Sequence, residues 1–116
     1  MENDVKLIGY VNSVLEPLNR TSKESNESWT DYPFVIGVKR GEKSVKWDNI
    51  YCISKKPVSN ELVKQLVEVN GSLRVDTWQD EFGDYKNKWY VVVYSIQDRL
   101  EVLKEEVAQV LKKPNE

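Results

Sequence analysis

The sequence predicts a mostly β fold: a five-stranded Greek-key barrel with a helix between its third and fourth strands and an extra helix at its C-terminal end. Three observations carry this. Residues 45–54, 59–70 and 71–78 read as strand, helix and strand, an order found in the middle of small barrels. Residues 34–38 and 86–96 are dense in β-branched and aromatic side chains, which suit a pleated, half-buried surface. The length of 116 residues is about that of one domain, with room for a single core and a short appendage.

Residues 5–11 alternate well enough for a first strand, and Gly9 in its middle suggests a bend or bulge. Residues 16–32 are rich in Ser, Asn, Glu and Thr, which bury too little apolar surface to order themselves, so a long mobile loop is expected there. After Pro33, the side chains of Phe34, Ile36 and Val38 share one face of a second strand by the two-residue period and mark its core side. Gly41 then places a basic hairpin turn over 39–44. On the third strand Trp47, Asn49, Tyr51 and Ile53 lie on one face, and Asp48, Ile50, Cys52 and Ser54 on the other. Assigning Ile50 and Cys52 to the interior leaves Trp47 and Tyr51 outside as a stacking platform. The opposite assignment, with the two aromatics as core, fits the period equally well.

The following helix is marked by Pro57, by Ser59 as N-cap, by Glu61 in the first turn and by Gly71 as terminator, with Leu62, Val63, Leu66 and Val67 as its apolar side. It is expected to plug one end of the barrel. A fourth strand over 73–78 turns Leu73 and Val75 inward and Arg74, Asp76 and Trp78 to the opposite side. Residues 79–85 form a hairpin, and 86–96 the fifth strand. Asp98 then caps a second helix, with Glu101 three residues on as in a capping box, and Leu100, Leu103, Val107, Val110 and Leu111 form one apolar stripe. A helix of about 14 residues is marginal alone. The stripe, with Leu103, Val107 and Val110 at its centre, therefore packs either on this chain's own barrel or on a second copy or partner protein. The expected organisation is an OB-fold barrel over 1–97, an amphipathic helix over 98–112 and a tail of 113–116.

Composition excludes several classes of chemistry. With no histidine and one cysteine, the usual zinc constellations, a Cys-His dyad and a Ser-His-Asp triad are ruled out. The acidic residues form no recognisable motif for a carboxylate-only site. No metal, cofactor or catalytic role is expected, and the chain reads as a binding protein and not an enzyme. A lone Cys52 forms no internal disulfide, the N-terminus lacks the features of a secretory signal, and no apolar run approaches the ~20 residues of a membrane span. A cytoplasmic protein without membrane contact is expected. The net charge of −2 is unevenly placed: residues 34–95 carry ten basic and eight acidic groups, against three and six in 1–33. Between 39 and 56, Lys39, Arg40, Lys43, Lys46, Lys55 and Lys56 face only Glu42 and Asp48. Such a cluster suits either a phosphate backbone or a lysine-guarded strand edge.

The stretches 5–11, 34–40, 47–53, Gly71 with Ser72, and 78–83, in that order and approximate spacing, resemble the successive signatures of bacterial and phage single-stranded DNA-binding proteins. Residues 16–20 resemble the acidic-proline turn that follows the first strand in that family. The resemblance implies base stacking by Trp47 on the third strand and by Trp78 in the hairpin between the fourth and fifth. Tyr51 joins them through the face it shares with Trp47, and Lys39 and Arg40 match the basic end of the family's second strand. Charge and position add Lys46, Lys55, Lys56, Arg74, Lys86 and Lys88 as phosphate contacts. Trp29 is either a further stacking group or a side chain packed on the barrel, and Tyr32 is expected to pack.

Three departures from the family are visible. Ile53 replaces an aromatic, so one stacking contact is expected to be missing. The segment between Ser72 and Trp78 is several residues short, so the hairpin is expected to reach less far. A helix stands where the family has a flexible, acidic-tipped tail. The resemblance therefore implies a reduced version lacking that tail, as in phages, plasmids or other mobile elements, and a homo-oligomer, dimer or tetramer. The expected function is binding of single-stranded DNA, with little sequence preference, in replication or recombination. The alternative is an interaction module docking on a helicase, primase or other replication partner, with weak or no nucleic-acid binding. RNA binding is a third reading, since stacking platforms accept either sugar.

Overall fold

The computed structural model describes residues 3–98. Six strands form: β1 (Val5–Val14), β2 (Leu18–Thr21), β3 (Ser28–Lys39), β4 (Trp47–Ser54), β5 (Leu66–Gln79) and β6 (Tyr85–Asp98), with a single 3-10 turn at Asn60–Leu62 among the described residues. Hydrogen-bonded neighbours run β1-β5-β6-β4-β3-β2, and an additional pairing of β1 with β3 closes the five long strands into a barrel. Every pairing is antiparallel except that of β4 with β6. This is the Greek-key order of an OB-fold barrel.

Closure depends on β1 serving two neighbours. Residues 5–10 pair with β5 and residues 10–14 with β3. Gly9 permits the changeover, because a Cβ there would collide with the Gly37 carbonyl, and a register shift between Val11 and Ser13 bends the strand. Inside the barrel Val11, Phe34, Ile36, Cys52, Val67, Val69, Val91 and Val93 form one buried cluster. The alternation expected over 34–38 holds, as does the choice of Ile50 and Cys52 as the inner face: Phe34 opposes Cys52 and Ile36 opposes Ile50 in the β3–β4 register. Burial pushes the Cys52 thiol up to about 12, because the thiolate would be stripped of water.

The helix expected over 59–70 does not form. Ser59 caps as anticipated, its hydroxyl accepting from the Glu61 N–H at 3.1 Å, but only the turn Asn60–Leu62 follows. Val63 is extended, Lys64 is left-handed at φ 69°, and β5 begins at Leu66. Residues 66–71 are the partners of Tyr10 back to Val5, so a helix here would leave half of β1 without hydrogen bonds. The apolar spacing fits both periods, and Val67 and Val69 suit a strand at least as well as a helix. Gly71, expected to terminate the helix, instead sits at a register shift in β5 where a Cβ would strike the Val92 carbonyl.

The stretch expected to be a loop, 16–32, is largely a hairpin. Leu18–Thr21 pairs with residues 28–31, and the turn between them closes through Ser22 N–H to Glu27 O at 2.8 Å with Asn26 at φ 57°. Polar cross-strand pairs support it in place of a core, with Thr30 donating to Asn19 at 3.1 Å and Arg20 bridging Asp31 at 3.4 Å. Leu73 and Val75 do share the inward parity of Val91, yet both are exposed, because β5 and β6 run on past the end of the barrel. The helix expected over 98–112, with Leu103, Val107 and Val110, and the tail after it lie outside the described residues except for Asp98, the last residue of β6.

Candidate nucleic-acid interface

Odd-numbered residues of β3 and β4 point away from the barrel core, and of these Trp29, Lys39, Trp47 and Asn49 are exposed and Val35 and Tyr51 partly so, while Asp31, Pro33, Gly37 and Ile53 are themselves covered. Across the β3–β4 register Lys39 opposes Trp47, Gly37 opposes Asn49, Val35 opposes Tyr51 and Pro33 opposes Ile53. Gly37 lies below the surface, and Asn12 of β1 reaches over it to donate to Asn49 at 2.7 Å. The aromatic choice left open by periodicity is thus decided. Trp47 stands outside at 46% exposure, with the Tyr10 ring 5.9 Å away and tilted by 56°.

Two cations lie over aromatic rings on this surface. Lys88 Nζ sits 4.1 Å from the Tyr51 ring centroid, and Lys55 Nζ sits 5.5 Å from that of Trp29. A shallow depression of about 290 Å³ is lined by Arg20, Trp29, Asp31, Ile53, Lys55, Asp76, Tyr90 and Val92, so Trp29 stands beside Ile53. Trp29 is neither packed away nor remote, while Tyr32 is half-buried beside the strand end, as expected.

The surface continues onto an arm made of the outer parts of β5 and β6, where seven ladder pairs run from Leu73–Val91 to Gln79–Tyr85. At about 3.3 Å per residue this arm is roughly 20 Å long. On its outward face Arg74 opposes Tyr90, Asp76 opposes Lys88 and Trp78 opposes Lys86. Trp78 is 47% exposed, matching Trp47. The Tyr90 hydroxyl donates to Asp76 at 3.2 Å, and partial burial together with the Asp76 charge raises the Tyr90 phenol. The arm's turn is tight: Asp80 accepts from the backbone N–H groups of Phe82 and Asp84, both at 2.9 Å, and Gly83 takes φ 83°.

Four of the eight cations expected to contact phosphate already have polar partners. Lys55 bridges the nearly buried Asp31 at 2.7 Å, Arg40 bridges Asp48 at 2.9 Å, Lys39 donates to the Glu42 carbonyl at 2.9 Å and Lys86 approaches Asp80 at 3.9 Å. Lys46 lies in the β3–β4 turn beside Trp47. Lys56 lines a second depression of about 520 Å³ with Lys55, Pro57, Leu62, Val93 and Tyr94. The structure therefore places Trp29, Trp47, Tyr51, Trp78, Lys55, Arg74, Lys86 and Lys88 on one side, Lys39, Arg40 and Lys46 at one end of it, and Lys56 next to Lys55 at the edge of a second depression.

Sequence reasoning missed Tyr10, Arg20 and Tyr90. Only the alternation of Tyr10 with buried Gly9 and Val11 signalled an outward ring; nothing local signalled that β1 crosses beside Trp47. Among the described residues no group of three or more Cys, Asp or Glu side chains is placed to hold a metal ion, and no helix is long and apolar enough to cross a membrane.

Three solved structures with a similar fold are of single-stranded DNA-binding proteins. A mitochondrial one from S. cerevisiae, Rim1, superposes with a TM-score of 0.58 at 13% identity, over 84% of this chain and 96% of that one. The small single-stranded DNA-binding protein of Streptomyces coelicolor gives 0.50 at 15% identity, and the Plasmodium falciparum SSB in complex with single-stranded DNA gives 0.51 at 15%. Each of these covers 84% of this chain and 95% of the other. No protein-family model matches the chain, and no curated protein sequence is significantly similar to it. At these identities the likeness shows the fold, an OB barrel of the kind built by those proteins.

Proposed function

We propose that the outer surface of β3, β4 and the arm binds single-stranded DNA with little sequence preference. The observation that carries this is one side of the molecule holding Trp29, Trp47, Tyr51 and Trp78, with Lys55 over Trp29 and Lys88 of the arm over Tyr51. Every base presents a π-face, so stacking on such rings tolerates any sequence and contributes about 1–3 kcal/mol per base. Lys88, Lys55, Arg74 and Lys86 follow the same surface and neutralise phosphates, releasing counterions. Asp31 holds Lys55 and Asp80 approaches Lys86, and with Asp76 beside them these carboxylates also lower the net positive field. The affinity therefore leans on stacking more than on charge. The role this fits is coating strands exposed in replication or recombination, including that of a phage, plasmid or other mobile element.

The test is tryptophan fluorescence titrated with poly-thymidine oligonucleotides at several salt concentrations, with a duplex of equal length as control. Quenching by the single strand only, weakening as salt rises, is the expected outcome. Equal response to duplex, or none to either, refutes the reading and leaves the surface to a protein partner such as a helicase or primase.

A further inference from the structure

A helix over 59–70 would close one end of the barrel; in its absence only the turn Asn60–Leu62 stands there. Beside that turn β4 and β6 part after three parallel pairs, the last being Ser54 with Val93. The depression of about 520 Å³ opens between them. Its floor is aliphatic: Val93 belongs to the buried core, and Val58, Leu62 and Ile96 pack against that core while only partly buried themselves. Its lining holds two lysines and no carboxylate. Lys55 already reaches Asp31, so Lys56 is the cation of this rim.

An aliphatic floor with one cation at its edge suits the apolar side of an amphipathic segment better than a phosphate backbone, which asks for several cations in a row. This chain carries such a segment. Directly after β6, Leu100, Leu103, Val107, Val110 and Leu111 recur at helical spacing, and over the same stretch Glu101, Glu105 and Glu106 outnumber Arg99 and Lys104. The reach also fits. Ile96 lines the depression and Asp98 ends β6 two residues on, about 7 Å away at ~3.3 Å per residue. The segment therefore departs from the rim of the depression, and closing so short a loop costs little entropy. A second copy offering the same segment would also lose translational freedom, a cost that attachment avoids.

We propose that residues 99–111 dock in this depression through their apolar stripe and close the barrel end that 59–70 leave open. The contact stands independently of nucleic-acid binding. Hydrogen exchange of the full chain reads it, because a free helix of this length is marginal and protects its amides little. Amides of 100–111 should exchange roughly tenfold or more slowly than those of an unstructured chain, and equally so at low and high protein concentration. Val107→Asp in the segment and Leu62→Asp in the depression should each abolish that protection, while Val75→Asp on the arm leaves it. Where Leu62→Asp also exposes the amides of β3, a thiol probe decides. Ser95→Cys, at the wall of the depression, should react roughly tenfold faster once Val107→Asp is added, with the buried Cys52 silent. Unprotected amides at 100–111, protection that rises with concentration, or protection that survives Leu62→Asp in an intact barrel overturns the proposal. So does an unchanged reaction rate at Ser95→Cys.

Discussion

β5 and β6 pass through two environments, and the same residue pattern means different things in each. Inside the barrel Val67, Val69, Val91 and Val93 are buried between closed walls. Leu73, directly opposite Val91, and the next pair on this face, Val75 and Trp89, hold the same parity and are open to water. Alternation fixes which side a residue faces, but burial requires something on that side. The barrel half thus supplies the buried core, and the arm offers exposed surface held up by its ladder and its turn.

The largest contrast is in stability. Phe34→Ala removes a fully buried ring from the barrel and should cost about 3–5 kcal/mol in urea unfolding. Val75→Ala in the arm should cost less than about 0.5 kcal/mol, as for exposed positions generally. Equal losses would mean that the arm is covered in solution.

Cys52 reads the barrel side chemically. A thiol ordinarily near 9.0 and held at about 12 in the folded chain keeps its proton where the unfolded chain has lost it. The unfolded state is therefore favoured as pH rises from 9 toward 12, while below 9 the group has no effect on stability. A thiol reagent at pH 8 should react with Cys52 about a thousandfold more slowly than with an ordinary thiol, until denaturant opens the barrel. Fast reaction in the native protein would contradict the closed core.

Binding tests the arm against the barrel surface. Trp47→Ala on β4 and Trp78→Ala on the arm should each weaken poly-thymidine binding by about 1–3 kcal/mol with little change in salt dependence. A silent Trp78 variant would confine the site to the barrel. The smallest effects belong to single lysines. Lys88→Ala should lower the log–log salt slope by about 0.7. Lys55→Ala should lower it less, since Lys55 is already paired with Asp31. An equal effect from Lys56→Ala would extend the strand's path into the second depression, which both lysines line.

The sequence by itself determined the strand faces and much of the site. Phe34, Ile36 and Val38, the pairing of Ile50 with Cys52 as an inner face, and the outward set of Arg74, Asp76 and Trp78 all follow from the two-residue period, a local property of the chain. The tertiary structure alone decided the rest. Residues 66–71 became strand because β1 needed a partner for its backbone, a demand that no local pattern carries. Residues 18–21 and 28–31 became a hairpin through polar cross-strand pairs, where composition pointed to a loop. Trp29 came to stand beside Ile53, and Leu73, Val75 and Trp89 were left uncovered, because proximity and cover depend on how distant strands close around one another.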